Sequence, residues 1–214
     1  RVLFRSGKDS KYYMNSSLCS VTKSHTELQC TTLPLKLGYG RKYFTWQMTI
    51  DGINSLETSS RVSYNSPIIT NVENHGKLKT TGGDRVILKG VNFGPKASYL
   101  ELEINAVYYS ATNNLLYNAS KCNITLDDSK IECFSAAGVG RNFTWKVQIE
   151  TLQGNYSFDN NTMYSPATIT SVEADGRSGI SPDEVTTIII TGKNFGPKQI
   201  NSIQPWQITA TYGN

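Results

Sequence analysis

Histidine is scarce in this chain of 214 residues: His25 and His75 are the only two, and they stand far apart. Neither recurs between the chain's repeats, and no Cys-x-x-Cys occurs, which speaks against a structural zinc site. Long apolar runs are missing too. Stretches such as Ile188-Ile189-Ile190 fall far short of the roughly 18 residues a membrane-spanning helix needs. Charge of one sign never accumulates: the 21 Lys and Arg, against 17 Asp and Glu, are dispersed and form no block of five or six, a poor footprint for nucleic acid or a membrane surface. No segment of ten or more residues places apolar positions at helical spacing, which argues against helices. No signal peptide precedes Arg1, so the chain reads as a mature or cropped segment whose targeting and anchoring parts would lie outside it.

What is plentiful is Thr, Ser, Asn, Ile, Val and Tyr, cut by Gly, Asn and Asp turns. That composition predicts an all-β chain. The chain also repeats itself at a spacing of about 100 residues, the size of an immunoglobulin-like sandwich. Trp46 recurs as Trp145, Ser66-Pro67 as Ser165-Pro166, and Gly38-Tyr39-Gly40-Arg41 as Gly138-Val139-Gly140-Arg141. Cys19 and Cys30 recur as Cys122 and Cys133, and Gly90-Val91-Asn92-Phe93-Gly94-Pro95 as Gly192-Lys193-Asn194-Phe195-Gly196-Pro197.

One repeat, residues 67–165, is complete. Thr81-Gly82-Gly83-Asp84 is a turn into a strand at Val86-Ile87-Leu88, which Gly90 and Gly94-Pro95 end, with Phe93 as an apolar plug between turns. From Trp145 to Glu150 the chain alternates, so Trp145, Val147 and Ile149 face a core and Lys146, Gln148 and Glu150 face water. Trp46, Met48 and Ile50 alternate in the same way. Asp51-Gly52 and Gln153-Gly154-Asn155 are the expected hairpin turns after these strands.

These elements resemble the IPT/TIG domain family, Ig-like modules also found in plexins, in hepatocyte-growth-factor-receptor-type kinases and in some transcription factors. The matching pieces are Ser66-Pro67-Ile68-Ile69 opening a repeat, Gly82-Gly83, Gly90-Val91-Asn92-Phe93-Gly94, and Ser63-Tyr64 or Met163-Tyr164 closing one. The resemblance implies tandem Ig-like β-sandwiches. Residues 1–66 then correspond to the later strands of a repeat, with Phe4 aligned to Val107, and residues 166–214 to the early strands. Gly179-Ile180-Ser181-Pro182 departs from the Gly-Gly turn of the pattern. The end pieces are expected to belong to a longer array cropped to this window; the alternative is strand exchange that completes them between copies.

The cysteine spacing is identical in both repeats, so each repeat is expected to form its own disulfide, Cys19–Cys30 and Cys122–Cys133. The competing reading is buried free thiols of a cytosolic protein. Paired cysteines on neighbouring strands favour an oxidising, extracellular setting. Asn-x-Ser/Thr sequons begin at Asn15, Asn118, Asn123, Asn142, Asn155 and Asn160, in or beside expected turns where a glycan fits.

No catalytic constellation emerges: the histidines are isolated, Asp127-Asp128-Ser129 reads as the turn of the cysteine hairpin, and Gly138-Val139-Gly140 leads into a strand with no helix to bind a phosphate. No cofactor, metal, nucleic acid or direct membrane contact is expected. Among the aromatic residues, Tyr12-Tyr13, Tyr43-Phe44, Tyr99, Tyr108-Tyr109, Tyr117 and Trp206 include candidate contact residues, although the sequence names no binding face. Within the family the cadence is most similar to the tiger cell-surface adhesion and allorecognition proteins of social amoebae. That resemblance implies a non-catalytic receptor ectodomain at the cell surface, anchored elsewhere and binding another cell-surface protein. The alternatives are a spacer stalk of a plexin-like signalling receptor, an accessory module of a secreted polysaccharide-active enzyme, or an intracellular DNA-binding module.

Overall fold

The computed structural model describes residues 2–5, 13–16, 19–31, 45–60, 62–96, 102–112, 114–157, 161–174, 183, 187–198, 206 and 208–211. Sixteen strands run through them. The first six are β1 (Val2–Arg5), β2 (Tyr13–Ser16), β3 (Cys19–Lys23), β4 (Glu27–Cys30), β5 (Thr45–Ile50) and β6 (Ile53–Asn54). The next eight are β7 (Ile68–Glu73), β8 (Arg85–Val91), β9 (Ile104–Ser110), β10 (Leu115–Asn118), β11 (Ser120–Leu126), β12 (Lys130–Phe134), β13 (Thr144–Ile149) and β14 (Leu152–Gln153). Last come β15 (Thr168–Ala174) and β16 (Ile188–Lys193). There is no helix among the described residues, and the chain is all-β, as its composition predicts.

Two antiparallel four-stranded sheets, ordered β11-β12-β8-β7 and β10-β9-β13-β14, share one core, which is the arrangement of a β-sandwich. The alternation in β13 works as expected: Trp145, Val147 and Ile149 are fully buried, and Lys146 and Gln148 point away. From the same sheet, Ala106 and Tyr108 on β9 join them, and Tyr108 stacks on Trp145 with ring centroids 4.5 Å apart. The facing sheet contributes Val72, Val86, Leu88, Ile131 and Cys133. Ile87 is buried as well, although it belongs to the outer face of β8. It stands opposite Glu73 and Glu132, which are ion-paired with Lys89 and Arg85, and such long stems cover an apolar neighbour.

The repeated Gly-x-Asn-Phe-Gly-Pro segment does the same work twice. Gly90 sits inside β8 and not at its end: a Cβ there would lie 1.9 Å from the Ile68 carbonyl oxygen, and one on Gly192 would lie 2.0 Å from that of Thr168. Asn92 and Asn194 both adopt φ 63°, and each side-chain amide donates to a carbonyl just before the neighbouring strand, Ser66 at 3.1 Å and Pro166 at 3.0 Å. Phe93 is fully buried between these turns. Gly82 and Gly83, at φ 73° and 82°, form the turn into β8.

Register corrects two expectations. Phe4 pairs with Trp46 as Tyr108 pairs with Trp145, so Phe4 corresponds to Tyr108 and not to Val107; one residue of slip moves a side chain to the other face. The second hairpin turn is Glu150-Thr151, because Ile149 pairs with Leu152, just as Ile50 pairs with Ile53 around Asp51-Gly52. Glu150 holds φ 54° without being glycine, since its N–H donates to the Glu103 carbonyl and its carboxylate accepts the Glu103 N–H. Gly154 is instead a close approach, where a Cβ would stand 2.5 Å from the Pro67 carbonyl oxygen. Residues 179–182 lie outside the described residues.

Candidate functional site

The cysteines are bonded within their own hairpins, Cys19 to Cys30 across β3–β4 and Cys122 to Cys133 across β11–β12. Both bridges join neighbours in one sheet. Two such disulfides suggest an oxidising, extracellular environment. Among the described residues no helix is long and apolar enough to cross a membrane, and no group of three or more His, Cys, Asp or Glu could hold a metal ion. Asp127 and Asp128 latch the turn after β8: Asp127 accepts from the Lys96 N–H at 2.6 Å and Asp128 from the Gly94 N–H at 3.4 Å.

A loop at residues 135–141 is held by three phenols. Each O–H carries one proton, which fixes the direction of a closed circuit. The Ala136 N–H donates to Tyr108 at 2.9 Å, Tyr108 donates to Tyr164 at 2.6 Å, and Tyr164 donates to the Ala136 carbonyl at 2.9 Å. Tyr117 accepts the Val139 N–H and donates to the Val139 carbonyl, both at 3.1 Å. Gly138 lies between them, where a Cβ would come 2.6 Å from the Tyr117 ring and 2.7 Å from the Tyr164 hydroxyl. Burial pushes Tyr108 up to about 12 and raises Tyr164 and Tyr117. The next stretch of chain meets this loop, for a Cβ on Gly196 would stand 2.5 Å from Val139.

The outer face of β10-β9-β13-β14 is different in kind. Tyr109, opposite both Leu116 and Thr144, packs on Tyr156 with ring centroids 6.2 Å apart, and the Lys146 ammonium lies 5.5 Å from the Tyr156 ring centre. Lys146 also donates to Gln153, and Tyr109 donates to Asn114 at 3.2 Å. Leu116 and Tyr156 are exposed. The result is a solvent-facing patch of aromatic and aliphatic groups with a lysine over one ring; tyrosine is among the residues that protein interfaces favour. No protein-family model matches the chain. None of the curated proteins matches it either.

The candidate residues fall in several places. Tyr108 and Tyr117 are core, Tyr109 is on the patch, and Trp206 is half-buried. Tyr13 pairs with Arg5 in β2, while Tyr12, Tyr43, Phe44 and Tyr99 lie outside the described residues. Asn118, Asn123 and Asn155 are exposed; Asn142 is half-buried at φ 61°. Asn155 follows β14 and not a hairpin turn, and it adjoins Tyr156. Asn118, opposite Val107, lies on the same sheet as the patch. The Asn15 side chain and Asn160 are outside the described residues. Sequence reading missed Tyr156 and Lys146, because strand pairing brings them to Tyr109 and neither carries a local signal.

Proposed function

We propose that this chain is part of a non-catalytic, extracellular recognition ectodomain built from tandem Ig-like sandwiches, which binds another cell-surface protein. The observation that carries the reading is the Tyr109–Tyr156–Lys146 patch, set on a well-packed sheet and open to solvent. Tyrosine brings contact area at low entropic cost, and a lysine beside it adds electrostatic selectivity.

The Ig-like part of the reading is supported by strand order. β7-β8-β12-β11 against β10-β9-β13-β14 matches the A-B-E-D and C′-C-F-G arrangement of an Ig sandwich. The order β2-β1-β5-β6 repeats the second of these sheets. The family resemblance to adhesion proteins agrees with both. Single contacts of this size are weak and gain strength when many are displayed together.

Beads coated with the chain should cluster with each other or with cells bearing the partner, and a Lys146→Ala, Tyr156→Ala variant of unchanged fold should cluster less. Wild-type beads that stay dispersed against all cells of the source, or a variant that clusters equally well, would overturn the reading.

A further inference from the structure

Two glycosylation sequons bracket the outer face of β10-β9-β13-β14. Asn118 stands opposite Val107, and Val107 opposite Lys146. On the far side, the Gly154 N–H donates to the Val147 carbonyl and the Ser157 N–H to the Trp145 carbonyl, so Asn155 and Tyr156 share the place opposite Lys146. One row therefore runs Asn118, Val107, Lys146, Asn155 across the sheet. Tyr109 lies two residues along β9 from Val107, which makes it the diagonal neighbour of Asn118, about 7–8 Å away. Leu115 and Tyr117 are buried, so the alternation of β10 sends Leu116 and Asn118 to the same outer side as Tyr109.

The fold treats the hydroxyl residue of each sequon differently. Ser157, which completes the sequon of Asn155, is buried, and its hydroxyl accepts the Trp145 N–H at 3.0 Å. Thr125 and Thr144, which complete those of Asn123 and Asn142, are half-buried, and Thr144 donates to the Tyr109 carbonyl. In Asn118-Ala119-Ser120 both the asparagine and the serine are exposed. Ala119 between them packs against the core, and its N–H donates to the Ala106 carbonyl at 2.9 Å, which pins the sequon on the sheet. Among the sequons whose three residues are all described, only that of Asn118 keeps both its ends open once the protein has folded.

We propose that Asn118 carries an N-glycan whose first sugars lie over Leu116, Val107 and Tyr109, shielding one end of the Tyr109–Tyr156–Lys146 patch. β10 is the edge strand of its sheet, so a sugar on Asn118 leans either out over solvent or inward across β9. Inward lies apolar surface: Leu116 is 43% exposed, and Val107 and Tyr109 are half-buried. An N-acetylglucosamine ring presents a face of C–H groups, which covers such surface and is attracted to the negative face of an aromatic ring. Tyr156 and Lys146, farther across the sheet, stay open. The consequence for a partner, that occupancy of Asn118 sets how much of the patch it can reach, rests on the recognition role of that patch; the cover itself does not.

The test uses the full chain secreted by a eukaryotic host that adds N-glycans. Glycopeptide mapping should find Asn118 occupied. Nitration of Tyr109 by tetranitromethane, read by mass spectrometry, should run about fourfold slower than in Asn118→Gln, the loss that a cover closed roughly three-quarters of the time imposes. Ser120→Ala removes the sequon and keeps Asn118, and it should react like Asn118→Gln. An empty Asn118, or equal nitration of Tyr109 with and without the glycan, would overturn the proposal. Beads coated with Asn118→Gln should also cluster faster than beads coated with the glycosylated chain, and equal rates would overturn the consequence for the partner. Beads of both kinds that never cluster would count against the recognition role of the patch, while nitration of Tyr109 would still decide the cover.

Discussion

Tyr108 and Tyr164 meet hydroxyl to hydroxyl at 2.6 Å inside the sandwich, and their burial makes the fold sensitive to alkali. Burial raises the Tyr108 pKa from 10.0 to about 12 and raises that of Tyr164 in the same direction. The unfolded chain therefore releases these protons first. Stability from this source is complete below pH 10, declines above it, and is gone once pH passes the folded value. For Tyr108 alone the loss approaches about 2–3 kcal/mol near pH 12. Urea unfolding at pH 8, 10 and 11.5 should show the decline, and Tyr164→Phe should cost about 1–3 kcal/mol at pH 8 by stranding the Ala136 carbonyl. A flat profile would mean that the phenols are not buried as described.

The two tryptophans should respond unequally. Trp145→Ala empties a sealed site and should cost about 3–5 kcal/mol, whereas Trp46, half-buried on β5, should cost clearly less. Chemical denaturation followed by far-ultraviolet circular dichroism compares the two, and equal costs would contradict the difference in packing.

Three glycines form a graded series. Gly90→Ala drives a Cβ into the Ile68 carbonyl and should destabilise by more than about 3 kcal/mol. Gly52→Ala meets no atom but keeps φ 81°, a strain of about 1–2 kcal/mol. Gly76→Ala meets neither problem and should be neutral or stabilise by up to about 1 kcal/mol. Thermal unfolding of the three variants should give this order.

Peptide mapping without reduction should recover Cys19 with Cys30 and Cys122 with Cys133. Replacing Cys122 and Cys133 together by serine should cost about 3 kcal/mol, as expected for a loop of this length.

Much of the fold could be read locally. The alternation of β13 is a period-two pattern with a tryptophan in it, and the Gly-x-Asn-Phe-Gly-Pro segment encodes its own geometry through two positive φ angles and a buried ring. Glu150 was illegible because its left-handed backbone is held by a pair of hydrogen bonds with Glu103, nearly fifty residues away in sequence. The Tyr109–Tyr156–Lys146 patch was illegible for the same reason. Its members come from β9, β13 and the segment after β14, and only the register of the sheet makes them neighbours.

The Cys122–Cys133 bridge has a mechanical consequence. When the chain is pulled by its two ends, the bridge keeps the 11-residue separation between its cysteines from extending. At about 3.3–3.6 Å per extended residue, less the 4.2 Å the bridged Cα atoms already span, unfolding lengthens the chain by roughly 30–35 Å less than in the reduced protein, so the sandwich gives way in a shorter step.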